Sequence, residues 1–229
     1  MFDLSLMGRL SFAPTFPSVE PEFKPGRNLL GVSEERDYVL YVPESLDAGQ
    51  PVPLLVFFHG AGGSPEKILP FIEAHAEERG MLVLAPHSML PTWDIVIGGN
   101  GPDLERLDTA LAKLASHYLL DPHQFGFAGF SDGGSYALSN GLTNGHFVSH
   151  IMVFSGGFMT AMMPEGMPQV FISHGLVDEQ LPIETSGRAN AEKLKESGYP
   201  VHYVEFNGKH IIHPPIVKLA VDFFYGETA

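Results

Sequence analysis

From Tyr38 onward the chain alternates short, continuous apolar runs with longer stretches whose apolar residues recur every three or four positions. Continuous runs bounded by turn residues predict strands buried on both faces, and the longer period predicts amphipathic helices packed against them. Strands are expected at Asp37–Val42, Pro53–Phe58, Met81–Ala85, Gln124–Phe130, His150–Phe154, Gln169–His174 and Val201–Phe206. Helices are expected at Pro65–Arg79, Asp103–Tyr118, Asp132–Thr143, Glu184–Ser197 and Pro214–Tyr225. Leu104, Leu107, Leu111 and Leu114 share one face of the second helix, and Pro65 and Pro214 stand in first turns, where a missing N–H is tolerated. Such alternation defines a mostly parallel sheet with helices on both faces, an α/β fold.

Two connections resist this scheme. His87–Pro102 and Gly156–Pro168 are long, contain Gly and Pro, and each comes directly after a strand. In an open parallel sheet, the loop leaving a strand lies at that strand's carboxyl end, where ligands bind, so both are expected to wall a pocket. The Pro-rich stretch Pro14–Pro25 reads as a surface connection between two early strands, not as a domain boundary. With no internal repeat or long linker, the 229 residues are expected to form a single domain.

Charge narrows the partners. The balance of 13 Lys and Arg against 27 Asp and Glu, net −14 with no basic cluster, opposes nucleic acid and highly anionic substrates and suits neutral ones. The absence of cysteine excludes disulfides, thiolate ligands and a cysteine nucleophile. The opening Met1–Leu10 carries an acid before any base and an interrupted apolar run, so no signal segment is expected and a cytoplasmic location is the simplest reading. No apolar stretch approaches the roughly 18 residues of a membrane span. Nothing in the sequence indicates an oligomeric state.

The sharpest chemical signal is Gly129-Phe130-Ser131-Asp132-Gly133-Gly134, between an apolar run and a helical pattern. It matches G-x-S-x-G in its strand–turn–helix context, where a tight turn thrusts the serine out of the sheet at a helix N-terminus. The free amides and dipole there favour the negative charge that develops in acyl transfer. Upstream, Phe57-Phe58-His59-Gly60-Ala61-Gly62-Gly63 ends another apolar run; its glycines let the Ala61 amide point at the same oxyanion as the Asp132 amide. His59 reads as a packed scaffold residue because it precedes the nucleophile and closes a strand.

With Ser131 as nucleophile, the acid and the base come later in the chain. Asp178 lies in the loop after Gln169–His174, with Glu179 beside it as the reserve acid. His210 comes after the last strand in Asn207-Gly208-Lys209-His210, and His213, next to Pro214-Pro215, is its competitor as base. The pair His210 and His213 lacks a third ligand for a metal, so neither metal nor cofactor is expected.

From Tyr38 to Tyr225 the chain resembles the α/β-hydrolase serine esterases, particularly the phospholipase/carboxylesterase and polyhydroxybutyrate-depolymerase-like groups. The resemblance rests on His-Gly-Ala-Gly-Gly at His59, Gly-Phe-Ser-Asp-Gly-Gly at Ser131, His-Gly-Leu-Val-Asp-Glu-Gln-Leu-Pro around Asp178, and Gly-Lys-His ending at His210. It implies an α/β-hydrolase fold without a large cap domain, a triad of Ser131, Asp178 and His210, and an oxyanion hole from the Ala61 and Asp132 amides. Lys209 departs from the second glycine that many relatives carry.

The long connections bear on substrate. Trp93 with Asp94, Ile95, Val96 and Ile97 in the first, and Phe158, Met159, Met162, Met163 and Met167 in the second, supply apolar side chains suited to an uncharged acyl or alcohol group. Trp93, Phe158 and Met159 are therefore expected to contact a neutral, small to medium ester. The competing readings are a thioesterase or peptidase with the same triad and a catalytically idle binding protein on the same fold.

Overall fold

A computed structural model describes residues 8–13, 17 and 22–227. The opening Met1–Met7 and most of the connection expected over Pro14–Pro25 lie outside the described residues. The strands are β1 (Gly26–Leu29), β2 (Val39–Val42), β3 (Val52–Phe58), β4 (Leu82–Ala85), β5 (Leu120–Phe130), β6 (His150–Phe154), β7 (Gln169–Gly175) and β8 (Val201–Phe206). The helices are α1 (Pro65–Ile68), α2 (Glu73–Arg79), α3 (Asp94–Ile97), α4 (Pro102–His117), α5 (Asp132–Thr143), α6 (Ala189–Glu196) and α7 (Pro214–Phe224).

The strands form one eight-stranded sheet in the order β1-β2-β4-β3-β5-β6-β7-β8. From β4 to β8 all pairings are parallel, and only β1 with β2 and β2 with β4 run antiparallel. Parallel neighbours need crossover helices, which cover both faces of the sheet. The apolar side chains divide accordingly. Leu54, Val56 and Phe58 of β3 pack with Leu107, Leu111, Tyr136 and Leu194 from α4, α5 and α6. The alternate residues Leu55 and Phe57 pack with Ile68, Ala76, Val217 and Phe224 from α1, α2 and α7. Every residue of β4 and of β6 is buried, as their unbroken apolar runs require.

The departures from the sequence reading have local causes. The single helix expected over Pro65–Arg79 is α1 and α2 separated by a 3₁₀ turn at Leu69–Phe71. Pro70 sits in that turn; it has no N–H to donate to Glu66, so the α-helical ladder cannot pass through it. The helix expected from Glu184 opens instead as a wide π-helical turn over Glu184–Arg188 before α6. Strand β1, Gly-Arg-Asn-Leu, is an edge strand with little apolar content and carries no pattern in the sequence. Among the described residues, no helix is long and apolar enough to cross a membrane.

Candidate active site

Strand β5 sits between β3 and β6, and the chain leaves its carboxyl end through Ser131 into α5. Ser131 has φ 55° and ψ −122°, a left-handed conformation that costs a non-glycine residue about 1–3 kcal/mol. The turn has no room for side chains on either side of it. A Cβ on Gly129 would lie 2.0 Å from the Gly133 carbonyl oxygen, and one on Gly133 would lie 2.3 Å from the Phe58 oxygen. Both clashes are with backbone, which cannot yield as a side chain does. Gly129→Ala is therefore expected to lose its soluble folded yield or unfold at a much lower temperature, by more than about 3 kcal/mol. Thermal unfolding beside the parent protein checks this; an unchanged midpoint would mean that the elbow is loose enough to admit a methyl group.

Three side chains from three strand ends converge there. His210, after β8, places Nε2 2.8 Å from Ser131 Oγ and Nδ1 2.7 Å from Asp178 Oδ2. An ionised carboxylate only accepts hydrogen bonds, so the proton resides on Nδ1 and Nε2 is left to accept from the Ser131 hydroxyl. The imidazole packs against the Phe130 ring at 4.8 Å between centroids. Ser131 itself is partly open to solvent.

Asp178 is fully enclosed and fully bonded. Its Oδ1 accepts from the amides of Gln180 and Leu181, both at 2.9 Å, and its Oδ2 faces His210 and, at 3.2 Å, Nε2 of His174. Burial alone would raise its pKa, but the hydrogen bonds from the Leu181 amide, His210 and the Gln180 amide outweigh burial and hold it below the ordinary value. His174, next to the last residue of β7, also donates to the Leu181 carbonyl at 2.8 Å, and is packed against Gly187 of the wide turn, where a Cβ would come within 2.8 Å of it. In the sequence His174 stands only as the end of an apolar run. Its contact with the carboxylate is visible only once the Gly175–Leu181 loop folds back.

The remaining candidates separate cleanly. Glu179 points away, 76% exposed and paired with Lys209 at 3.3 Å. His213 stands at the N-cap position of α7, its ring 5.2 Å from that of Phe206, and it is His210 that hydrogen-bonds Ser131. His59 is buried, holds the Gly60 carbonyl at 2.7 Å through Nδ1 and accepts the Ser88 amide at Nε2. Burial lowers its pKa to about 4, which keeps it neutral and unsuited to act as a cation near the site.

The Ala61 turn stands against the elbow: a Cβ on Gly60 would lie 3.2 Å from Ser131 Cβ. Gly62 donates to Pro91 and Gly63 to Gly60, while the Ala61 amide makes no backbone hydrogen bond among the described residues. Asp132 opens α5, so its amide has no acceptor within the helix. Two free amides thus flank Ser131 from different segments.

The expected pocket residues do not fare alike. Trp93 is not a pocket wall: it is fully buried, its indole N–H donates to the His59 carbonyl at 2.8 Å, and its ring lies 4.8 Å from those of both His59 and Tyr136. A large apolar ring next to a polar loop found its burial in the core. Asp94 is likewise structural, its carboxylate accepting from the amides of Ile95, Gly101 and Asp103. Phe158 is half-buried and tied through its amide to Ser135. Met159 lines a cavity of about 220 Å³ with Leu142, Pro164, Leu194 and Tyr199, toward the far end of α5 from Ser131. Met162, Met163 and Met167 are exposed.

No family model matches the chain. Among curated sequences it is 26% identical over 157 residues to a probable feruloyl esterase C of Aspergillus niger, covering 65% of this chain and 57% of that protein. It is 22% identical over 208 residues to feruloyl esterase C of Emericella nidulans, covering 76% of each. The chain thus spans little more than half the length of the Aspergillus relative. Among solved structures, Thermogutta terrifontis esterase 2 phosphorylated by paraoxon superimposes with a TM-score of 0.68 at 21% identity, over 96% of this chain and 99% of that one. The sheet order, the elbow and this superposition define the chain's class: it has the α/β-hydrolase fold, without a large cap domain among the described residues. Its likeness in sequence is to the feruloyl esterases named C.

Proposed function

We propose that the chain is a serine carboxylic-ester hydrolase of one domain that acts on neutral, small to medium esters. The observation that carries this reading is the hydrogen-bonded line from Ser131 through His210 to Asp178, set on a left-handed elbow beside two free amides. His210 takes the hydroxyl proton at Nε2 as Ser131 Oγ attacks the ester carbonyl. Asp178 stabilises the imidazolium, and the Ala61 and Asp132 amides receive the charge on the former carbonyl oxygen. The imidazolium then protonates the departing alkoxide. A water molecule, deprotonated by the same nitrogen, releases the acid from Ser131. No cofactor enters this sequence.

The net charge of −14 favours uncharged substrates, and the names of the relatives justify an aromatic acyl group among them. A panel of aryl esters from acetyl to octanoyl, with a methyl ferulate, a thioester and an amide, tests the reaction class. Esters are expected to be turned over fastest. A thioester or amide that exceeds the best ester would overturn the assignment. Because Trp93 is enclosed by His59 and Tyr136, Trp93→Ala is expected to lower turnover of every acyl length alike. Selective loss of long esters would return it to the pocket.

A further inference from the structure

The two amides beside Ser131 belong to separate segments, one on the turn after β3 and one at the start of α5, so something must fix their separation. A hydrogen-bond donor contributes to catalysis only when held at the place where charge develops, and a displacement of about 1 Å can cost two orders of magnitude. Residues 91–93, in the connection after β4, are bonded to both segments. The Pro91 carbonyl accepts from the Gly62 amide at 2.7 Å, and the Trp93 indole donates to the His59 carbonyl at 2.8 Å, on either side of Gly60-Ala61. The Thr92 hydroxyl donates to Asp132 Oδ2 at 2.5 Å. Trp93 also lies between the rings of His59 and of Tyr136, the latter on the first turns of α5.

We propose that Thr92 and Trp93 are positioning residues that set the oxyanion hole by clamping the Ala61 turn to the Asp132 amide. This inference rests on the serine-hydrolase reading above. The clamp itself is braced from behind. Asp94 and Asp103 accept each other's backbone amides, at 3.0 and 3.1 Å, and Asp103 also accepts the Met89 amide, so the connection closes on itself around residues 91–93. Thr92 has an added electrostatic task. Asp132 carries a carboxylate on the same residue whose amide faces the developing oxyanion, and the threonine hydroxyl fixes where that charge sits.

The test uses Thr92→Val, Thr92→Ser and Trp93→Phe, assayed for kcat and KM on one aryl ester. Each variant is also titrated with an aryl trifluoromethyl ketone and with its methyl ketone counterpart. With the fluorinated ketone, Ser131 Oγ bonds to the carbonyl carbon, the hydroxyl proton passes to His210, and the carbonyl π pair becomes an oxyanion in the hole; the methyl ketone only binds. Thr92→Val is expected to lower kcat about tenfold with KM within about twofold, and to weaken the fluorinated ketone by the same factor while sparing the methyl ketone. Thr92→Ser, which keeps the hydroxyl, is expected to stay within about twofold of the parent. Trp93→Phe, which keeps a ring but loses the N–H, is expected to follow Thr92→Val in direction and decides the matter if Thr92→Val does not fold. Unchanged kcat and ketone affinity in a folded Thr92→Val, or equal losses in Thr92→Ser and Thr92→Val, would overturn the inference alone. An inactive parent protein whose Ser131 takes no label would instead overturn the serine-hydrolase reading, and the clamp with it.

Discussion

Ser131→Ala is expected to lower kcat/KM on the best aryl ester by about 10⁴-fold or more while leaving the fold intact. The magnitude comes from the geometry: Ser131, His210 and Asp178 act as one unit, so removing the nucleophile removes the covalent path entirely and leaves only what the amides and the surface contribute. Stability is expected to change little. Alanine keeps the Cβ that the left-handed φ of 55° strains, and among the described residues the lost hydroxyl has a single hydrogen-bond partner, His210. Steady-state kinetics with thermal unfolding of the same preparation separates the two effects. Activity within tenfold of the parent, in a protein free of contaminating esterase, would mean that Ser131 is not the nucleophile.

The second large effect divides the histidines. His210→Ala removes the acceptor of the Ser131 proton and leaves Asp178 buried with its Oδ2 facing His174 alone among the described residues. A loss of about 10³-fold or more is expected. His213 stands at the start of α7 against the Phe206 ring and makes no hydrogen bond to Ser131, so His213→Ala is expected to keep most of its activity and lose at most about 1 kcal/mol of stability. Parallel assays of the two variants check the pair. Reversed phenotypes would move the base to His213. The carboxylate adds a pH signature. Asp178 is held below its ordinary pKa by hydrogen bonds formed only in the folded chain, so its stabilising contribution is present above the unfolded value near 3.9 and fades as pH falls through the lower folded value.

Much of this architecture was legible because buried parallel strands are written as unbroken apolar runs. β6, β8 and α5 fall at the expected residues, and β3, β4 and β7 within a residue of theirs. Ser131 was legible from its G-x-S-x-G spacing, and Asp178 and His210 from their places just past a strand's carboxyl end, where the sheet brings separate loops together. What stayed hidden depends on contacts distant in sequence. Thr92 and Asp132 lie 40 residues apart, and no local pattern marks a threonine as bonded to a helix N-terminal carboxylate. Trp93 was misread for a related reason: its place after β4 is visible, but the direction of its ring, inward between His59 and Tyr136, is set by the folded core. β1 was missed because an edge strand can pair through its backbone alone, with side chains that say little.

Whether Ser131 is a nucleophile activated by His210 is read most directly by covalent labelling. The parent protein, Ser131→Ala and His210→Ala are each treated with a fluorophosphonate, and the intact mass and the modified peptide are read by mass spectrometry. One adduct per chain is expected, on Ser131, complete in the parent within the time that activity is lost, absent in Ser131→Ala and strongly slowed in His210→Ala. An adduct on another residue, or a parent protein that hydrolyses esters while Ser131 stays unlabelled, would contradict the assignment of Ser131 as nucleophile.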